Sequence, residues 1–123
     1  MKQLLFILTL IVLFFSCKKE PNDTHLMMRI RNMSGSALSW TFASGKEFGA
    51  IKNGAVTDYK EFENINAYPH ANVVADTDII YAGMLYCGTP PIPMLESGKY
   101  TLEIFRDNSV SPGYLNAKYI REE

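Results

Sequence analysis

Apolar and polar residues alternate along most of the chain after residue 25. Every second residue is apolar in four short runs, at 26–30, 38–42, 100–104 and 115–119. A period of two predicts β-strands with one buried face, because alternate side chains of a strand lie on the same side. In the second run, the large side chains of Leu38, Trp40 and Phe42 are therefore expected to share one face.

Shorter strands are predicted between these runs. Residues 46–51 form a short strand, and the Asn-Gly pair within 52–54 favours a tight hairpin turn. The segment 56–65 contains Glu and Lys that would suit a helix, but it has no clear N-cap, and we interpret it as a strand.

A further hairpin is predicted around the dipeptide Asp76-Thr77, with arms at 72–75 and 78–86. Residues 79–86 are apolar on both faces, which predicts a central strand covered on both sides. The segment 88–93 is expected to be a loop, since its three prolines cannot donate to a β-ladder.

Seven or eight short strands at spacings of about ten residues predict an all-β fold, a single antiparallel β-sandwich of Greek-key, immunoglobulin-like type. The segment 95–100 (LESGKY) resembles the tyrosine corner of such sandwiches. This resemblance implies that the Tyr100 hydroxyl bonds the backbone near 95–97.

The N-terminal residues 4–15 form an apolar run after Lys2. A membrane-spanning helix needs about 20 apolar residues, so this shorter run indicates a secretory signal. It ends in FFSC at 14–17, which resembles the lipobox of bacterial lipoproteins, although Phe14 replaces the usual leucine.

The resemblance implies three parts: a signal peptide, 1–16, that is removed; a lipid-bearing Cys17 with a polar tether, 17–24; and the sandwich, 25–123. It places the chain in the bacterial cell envelope, and the non-acidic Lys18 favours the outer membrane. A plain secreted protein and an uncleaved anchor remain the alternatives. Small lipoproteins with an immunoglobulin-like or transthyretin-like sandwich are similar over most of the domain, a resemblance that implies no activity.

Charge and residue content argue against a disordered chain and against nucleic-acid binding. Hydrophobic residues make up 47% of the chain and charged residues 20%, as in a globular protein. The net charge of −1 gives no basic surface for nucleic acid.

The sequence contains no pattern typical of a catalytic or metal site. The two histidines, His25 and His70, lack a metal-ligand spacing, and Cys87 follows an apolar run that predicts a buried, inert thiol. Asp76 and Asp78 fit a solvated turn better than a calcium loop. We therefore expect no enzyme activity and no cofactor.

Recognition of a protein or glycan remains the expected function, and two loops are the predicted contact surfaces. A structural subunit of an envelope complex and an inhibitor of a secreted hydrolase are the alternatives. The candidate binding residues are Tyr68, Pro69, His70, Thr89, Pro90, Pro91, Ile92 and Pro93.

Overall fold

The computed structural model describes residues 25–84 and 87–123. The predicted signal peptide, Cys17 and the tether therefore lie outside the described residues. Within the described part of the chain, no helix is long and apolar enough to cross a membrane. The strands are β1 (Leu26–Met33), β2 (Leu38–Ala43), β3 (Lys46–Glu47), β4 (Lys60–Phe62), β5 (His70–Ala75), β6 (Asp78–Gly83), β7 (Gly98–Arg106) and β8 (Leu115–Glu122).

The strands form two four-stranded sheets, ordered β4-β1-β7-β8 and β3-β2-β5-β6, hereafter the first and second sheets. All neighbouring strands run antiparallel except β1 and β7, which run parallel. The predicted all-β sandwich is confirmed. The chain passes between the sheets after β1, β3, β4 and β6, so both sheets contribute to one core.

The inner faces of the sheets bury the apolar positions of the alternating runs. Three of the four predicted runs keep their pattern through β1, β7 and β8, and their inner side chains form most of the core. The fully buried large side chains include Met28, Ile30, Leu102, Ile104 and Leu115. Burial of this apolar surface is the main force that holds the two sheets together.

The Tyr100 hydroxyl donates a hydrogen bond to the backbone oxygen of Glu96, at 2.9 Å. The predicted tyrosine corner is confirmed at this position. Its ring is buried and packs edge-on against Tyr119, with ring centroids 6.2 Å apart. The corner thus joins the entry of β7 to the last strand.

Two predicted strands are shorter in the structure. Of 46–51 only Lys46–Glu47 is a strand, and of 56–65 only Lys60–Phe62 is. The Asn53-Gly54 turn forms as predicted, with Ala55 N donating to Lys52 O at 3.0 Å. It is not a hairpin, because its flanks pair with different sheets, Ile51 with Leu38 and Val56 with Arg31.

The predicted common face of Leu38, Trp40 and Phe42 is wrong. A register shift between Leu38 and Trp40, where β2 pairs with β5, marks a β-bulge. One extra residue in a strand reverses the faces of the residues that follow. Leu38 is consequently buried in the core, whereas Trp40 and Phe42 lie on the outer face and Thr41 faces inward.

The prediction that residues 79–86 form a central strand is also wrong. The strand ends at Gly83 and lies at the edge of the second sheet, where β5 is its one partner among the described strands. Ile79 is 78% exposed. The apolar run misled the prediction because its outer half is covered by neither sheet.

Candidate functional site

The outer face of the first sheet is covered by charged side chains that pair with one another. Arg31 and Lys118 both contact the Glu103 carboxylate, at 3.3 and 3.2 Å. Arg29 contacts Glu122 at 3.4 Å. The charges of these residues are compensated within the face, so they offer little to a binding partner.

The outer face of the second sheet differs in kind, because its side chains are mostly aromatic and aliphatic. Register places Phe42, Asn72 and Tyr81 side by side across three strands. The adjacent row consists of Trp40, Val74 and Ile79. We call this surface the aromatic face, formed by Trp40, Phe42, His70, Asn72, Val74, Ile79 and Tyr81.

Two pairs of stacked rings order the aromatic face. Trp40 stacks on Phe42, with centroids 5.8 Å apart and planes 9° apart. His70 stacks on Tyr81, with centroids 5.9 Å apart and planes 10° apart. Such stacking fixes side-chain positions before a partner arrives, which lowers the entropy lost on binding.

A few polar groups lie among these rings and give the surface directionality. The Trp40 indole N–H donates to Glu47 Oε1 at 2.9 Å. The Tyr81 hydroxyl donates to Met84 O at 3.3 Å. Burial, with a smaller effect of Tyr114, raises the pKa of Tyr81, so its phenol stays protonated at neutral pH.

The bulge that exposes the rings carries an energetic cost at Thr41. Its side chain is fully buried, and its Oγ1 has no hydrogen-bond partner among the described residues. An unsatisfied buried hydroxyl costs about 1–3 kcal/mol. An unbulged strand would instead bury two large aromatic side chains, so stability alone does not account for this arrangement.

The structure brings the two predicted binding loops together at one end of the sandwich. Ala67 N donates to Pro93 O at 2.9 Å, and Leu95 N donates to Ile65 O at 2.8 Å. Residues 87–94 are all exposed, and Tyr68–His70 are half-buried. The first of these loops leads into the aromatic face, because His70 begins β5 and stacks on Tyr81.

Sequence reasoning missed the rest of the aromatic face. Of its members only His70 was a predicted binding residue. Trp40 and Phe42 were assigned to the core face, and Tyr81 to a covered central strand. The hydrophobic pattern contains no signal for the bulge that exposes the first pair.

A polar cleft of about 600 Å³ lies at the end of the sandwich where the described chain begins. His25 pairs with the Glu61 carboxylate there, and the Lys46 ammonium donates to the Glu61 backbone oxygen. Leu95 and Ser97 line the same cleft. Because His25, Lys46 and the Glu61 carboxylate already have partners within this cleft, the aromatic face is the stronger candidate for recognition.

The predicted buried thiol is wrong: Cys87 is free and exposed, since β6 ends before it and the chain leaves the sheet. Among residues 25–84 and 87–123, no group of three or more potential metal ligands occurs. Asp76 and Asp78 lie exposed at the β5–β6 turn.

Comparison of the chain with models of protein families and with curated proteins finds no match.

Proposed function

We propose that this chain is an envelope lipoprotein, anchored through Cys17, whose sandwich is a non-catalytic module that binds a protein partner through the aromatic face. The anchor rests on the lipobox-like residues 14–17. The tether after Cys17 spans at most about 25 Å, at 3.3–3.6 Å per residue. The partner is then close to the membrane.

The observation that carries the binding function is the outward orientation of Trp40 and Phe42 with Thr41 buried between them. Local violations of stable packing are concentrated at functional sites in natural proteins. Trp and Tyr are also the side chains most enriched among energetically dominant interface residues. A surface that presents such half-buried rings at a local cost in stability supports recognition.

Aliphatic residues of the aromatic face favour a protein over a glycan. Val74 and Ile79 continue the row that begins with Trp40, and Ile79 is 78% exposed. The rings of each stacked pair also lie against each other, which leaves fewer free ring faces for a sugar. A glycan remains the second candidate because four aromatic or imidazole rings share this surface.

Cross-linking in living cells tests the proposal. A photo-reactive amino acid is placed at Val74, on the aromatic face, or at Ile120, a half-buried position on the outer face of the first sheet. We expect a discrete cross-linked protein with the first position and none with the second. Trp40→Ala should abolish that product, whereas Phe105→Ala, an aromatic change on the first sheet, should leave it unchanged.

Equal products from both positions, or none from either, would contradict a protein partner on the aromatic face. A glycan array probed with wild type and Trp40→Ala decides the second candidate. Binding of a glycan that depends on Trp40, without a protein cross-link, would replace the protein partner by a sugar.

A further inference from the structure

The free edge of β6 has backbone groups that point away from the sheet. Met84 N donates to Pro69 O at 3.2 Å, at the end of the β5–β6 ladder. Hydrogen-bonded and non-hydrogen-bonded pairs alternate along an antiparallel ladder. Because Met84 bonds to β5, every second residue before it, Ala82, Ile80 and Asp78, also bonds to β5. The residues between them, Ile79, Tyr81 and Gly83, therefore direct their N–H and C=O groups outward.

A hydrogen bond to Gly83 supports the outward direction of its backbone oxygen. The Tyr114 hydroxyl donates to Gly83 O at 2.7 Å from outside the ladder. Tyr114 thus covers the C-terminal end of the edge. Among the described residues, no backbone group bonds the outward N–H and C=O of Ile79 and Tyr81, in the N-terminal half of the edge.

Within residues 25–84 and 87–123, the other three sheet edges carry features that prevent pairing, and the β6 edge carries none at residues 79–81. β3 has two residues and β4 has three, too few for a stable ladder. On β8 the N–H of Ala117 is bonded at 2.8 Å by the side chain of Asn116, and Lys118 and Arg121 add charge. Natural proteins use short strands and charges of this kind to prevent edge pairing. Residues 79–83 of β6 contain no charge and no proline.

We propose that the free edge of β6 accepts an extended segment of the partner polypeptide as an added antiparallel strand. This inference rests on the proposed function and specifies the partner as a protein with an accessible extended segment. Backbone bonds to Ile79 and Tyr81 would supply affinity, and apolar side chains at alternate positions would lie beside the aromatic face.

Charge indicates one further feature of the segment. Asp76 and Asp78 are exposed at the turn that opens the edge, and no salt bridge to either is present among the described residues. A lysine or arginine next to the apolar residues of the segment would complement them. A second copy of β6 provides no such base, because residues 78–83 (DIIYAG) contain none.

Selection from random seven-residue peptides displayed on phage tests this inference, with the full chain in detergent as the target. We expect enriched peptides with alternating apolar residues and one basic residue. The strongest of them should slow hydrogen exchange at the amides of Ile79 and Tyr81, and leave the amide of Ala117 unchanged.

Ile79→Pro is the decisive variant, because it removes an outward N–H without removing a bond to β5. We expect it to weaken the selected peptide about tenfold or more, and Ile79→Val to stay within about threefold. If the proline variant does not fold, two N-methylated versions of the selected peptide replace it, one methylated at the odd amides and one at the even amides. We expect one of the two to lose affinity for wild type, because only one set of amides faces β6.

Failure to enrich any peptide, or equal binding to wild type and Ile79→Pro, would overturn the added strand. So would slowed exchange at Ile79 caused by self-association of the chain. The proposed function would still hold if Val74 continued to cross-link the cellular partner in the Ile79→Pro background. If the photo-reactive residue at Val74 forms no cross-link in the otherwise wild-type chain, the proposed function itself is contradicted.

Discussion

Replacement of the buried Asn32 by alanine should destabilise the domain strongly. Asn32 is fully buried, and its amide makes every bond available to it at this site. Its Nδ2 donates to Ser36 O at 2.7 Å and to Ile51 O at 2.9 Å. Its Oδ1 accepts from Ser34 N at 3.0 Å and from Ser34 Oγ at 2.6 Å.

The magnitude follows from the partners that alanine leaves behind. Ile51 O keeps the bond from Leu38 N at 2.9 Å. The Ser34 hydroxyl, released from Asn32, can donate its one hydrogen to Ser36 O, which lies 3.0 Å away. Only the buried N–H of Ser34 then loses its acceptor. One unsatisfied buried donor costs about 1–3 kcal/mol. With the net loss of the remaining bonds, we expect the free energy of unfolding to fall by about 2–4 kcal/mol.

Urea unfolding measures this change directly. For a domain of this size the midpoint should fall by about 1–3 M. Asn53→Ala is the matched control, since Asn53 makes one exposed bond to Gly35 N at 3.0 Å. It should cost less than about 1 kcal/mol. Superimposable curves for wild type and Asn32→Ala would refute the reasoning about the buried network.

Three further predictions concern the bulge, the acid limit and the anchor. Thr41→Val should raise the free energy of unfolding by about 1 kcal/mol, because it removes an unsatisfied buried hydroxyl, and thermal unfolding would show it; a loss of stability would mean that Thr41 is satisfied. The Thr101 hydroxyl and then Arg29 lower the pKa of Glu122 in the folded state. The ionised carboxylate therefore stabilises the fold at pH values above its unfolded pKa, about 4.3. This stabilisation should be lost as the pH falls through the lower folded pKa. Unfolding at about pH 6 and pH 3 should show a smaller difference in Glu122→Gln than in wild type, and an unchanged difference would exclude this carboxylate as a contributor. Cys17→Ser should abolish metabolic labelling with a radioactive fatty acid, and labelling equal to wild type would contradict the lipid anchor.

The core of the domain could be predicted from the sequence because its strands follow a regular period of two. Met28, Leu102 and Leu115 are buried as the alternation requires. The Tyr100 corner was also predictable, since a short local spacing determines it. Both features depend on residues close together in sequence.

The aromatic face could not be predicted, for two physical reasons. A bulge adds one residue to β2 and reverses the faces of Trp40 and Phe42, yet no residue type near position 39 requires it. Whether an apolar strand such as β6 is central or at an edge depends on which strands pair with it. That choice is made by tertiary contacts, and the sequence of the strand does not reveal it. Of the two predicted loops, the one at 68–70 reaches the aromatic face, and it does so because His70 begins β5.

The affinity of the full chain for its cross-linked protein partner, measured for Trp40→Ala and for Phe105→Ala, tests the central claim most directly. Trp40 is the only tryptophan of the sequence, and on the aromatic face it stacks on Phe42 and lies beside Val74. Phe105 is a half-buried aromatic residue of the first sheet, beneath the Lys118 ammonium at 5.2 Å from its ring centroid. We predict that Trp40→Ala weakens binding by about 2 kcal/mol or more, roughly thirtyfold, and that Phe105→Ala changes it by less than about threefold. Equal affinities of the two variants, with both domains folded, would contradict the assignment of the aromatic face as the binding surface.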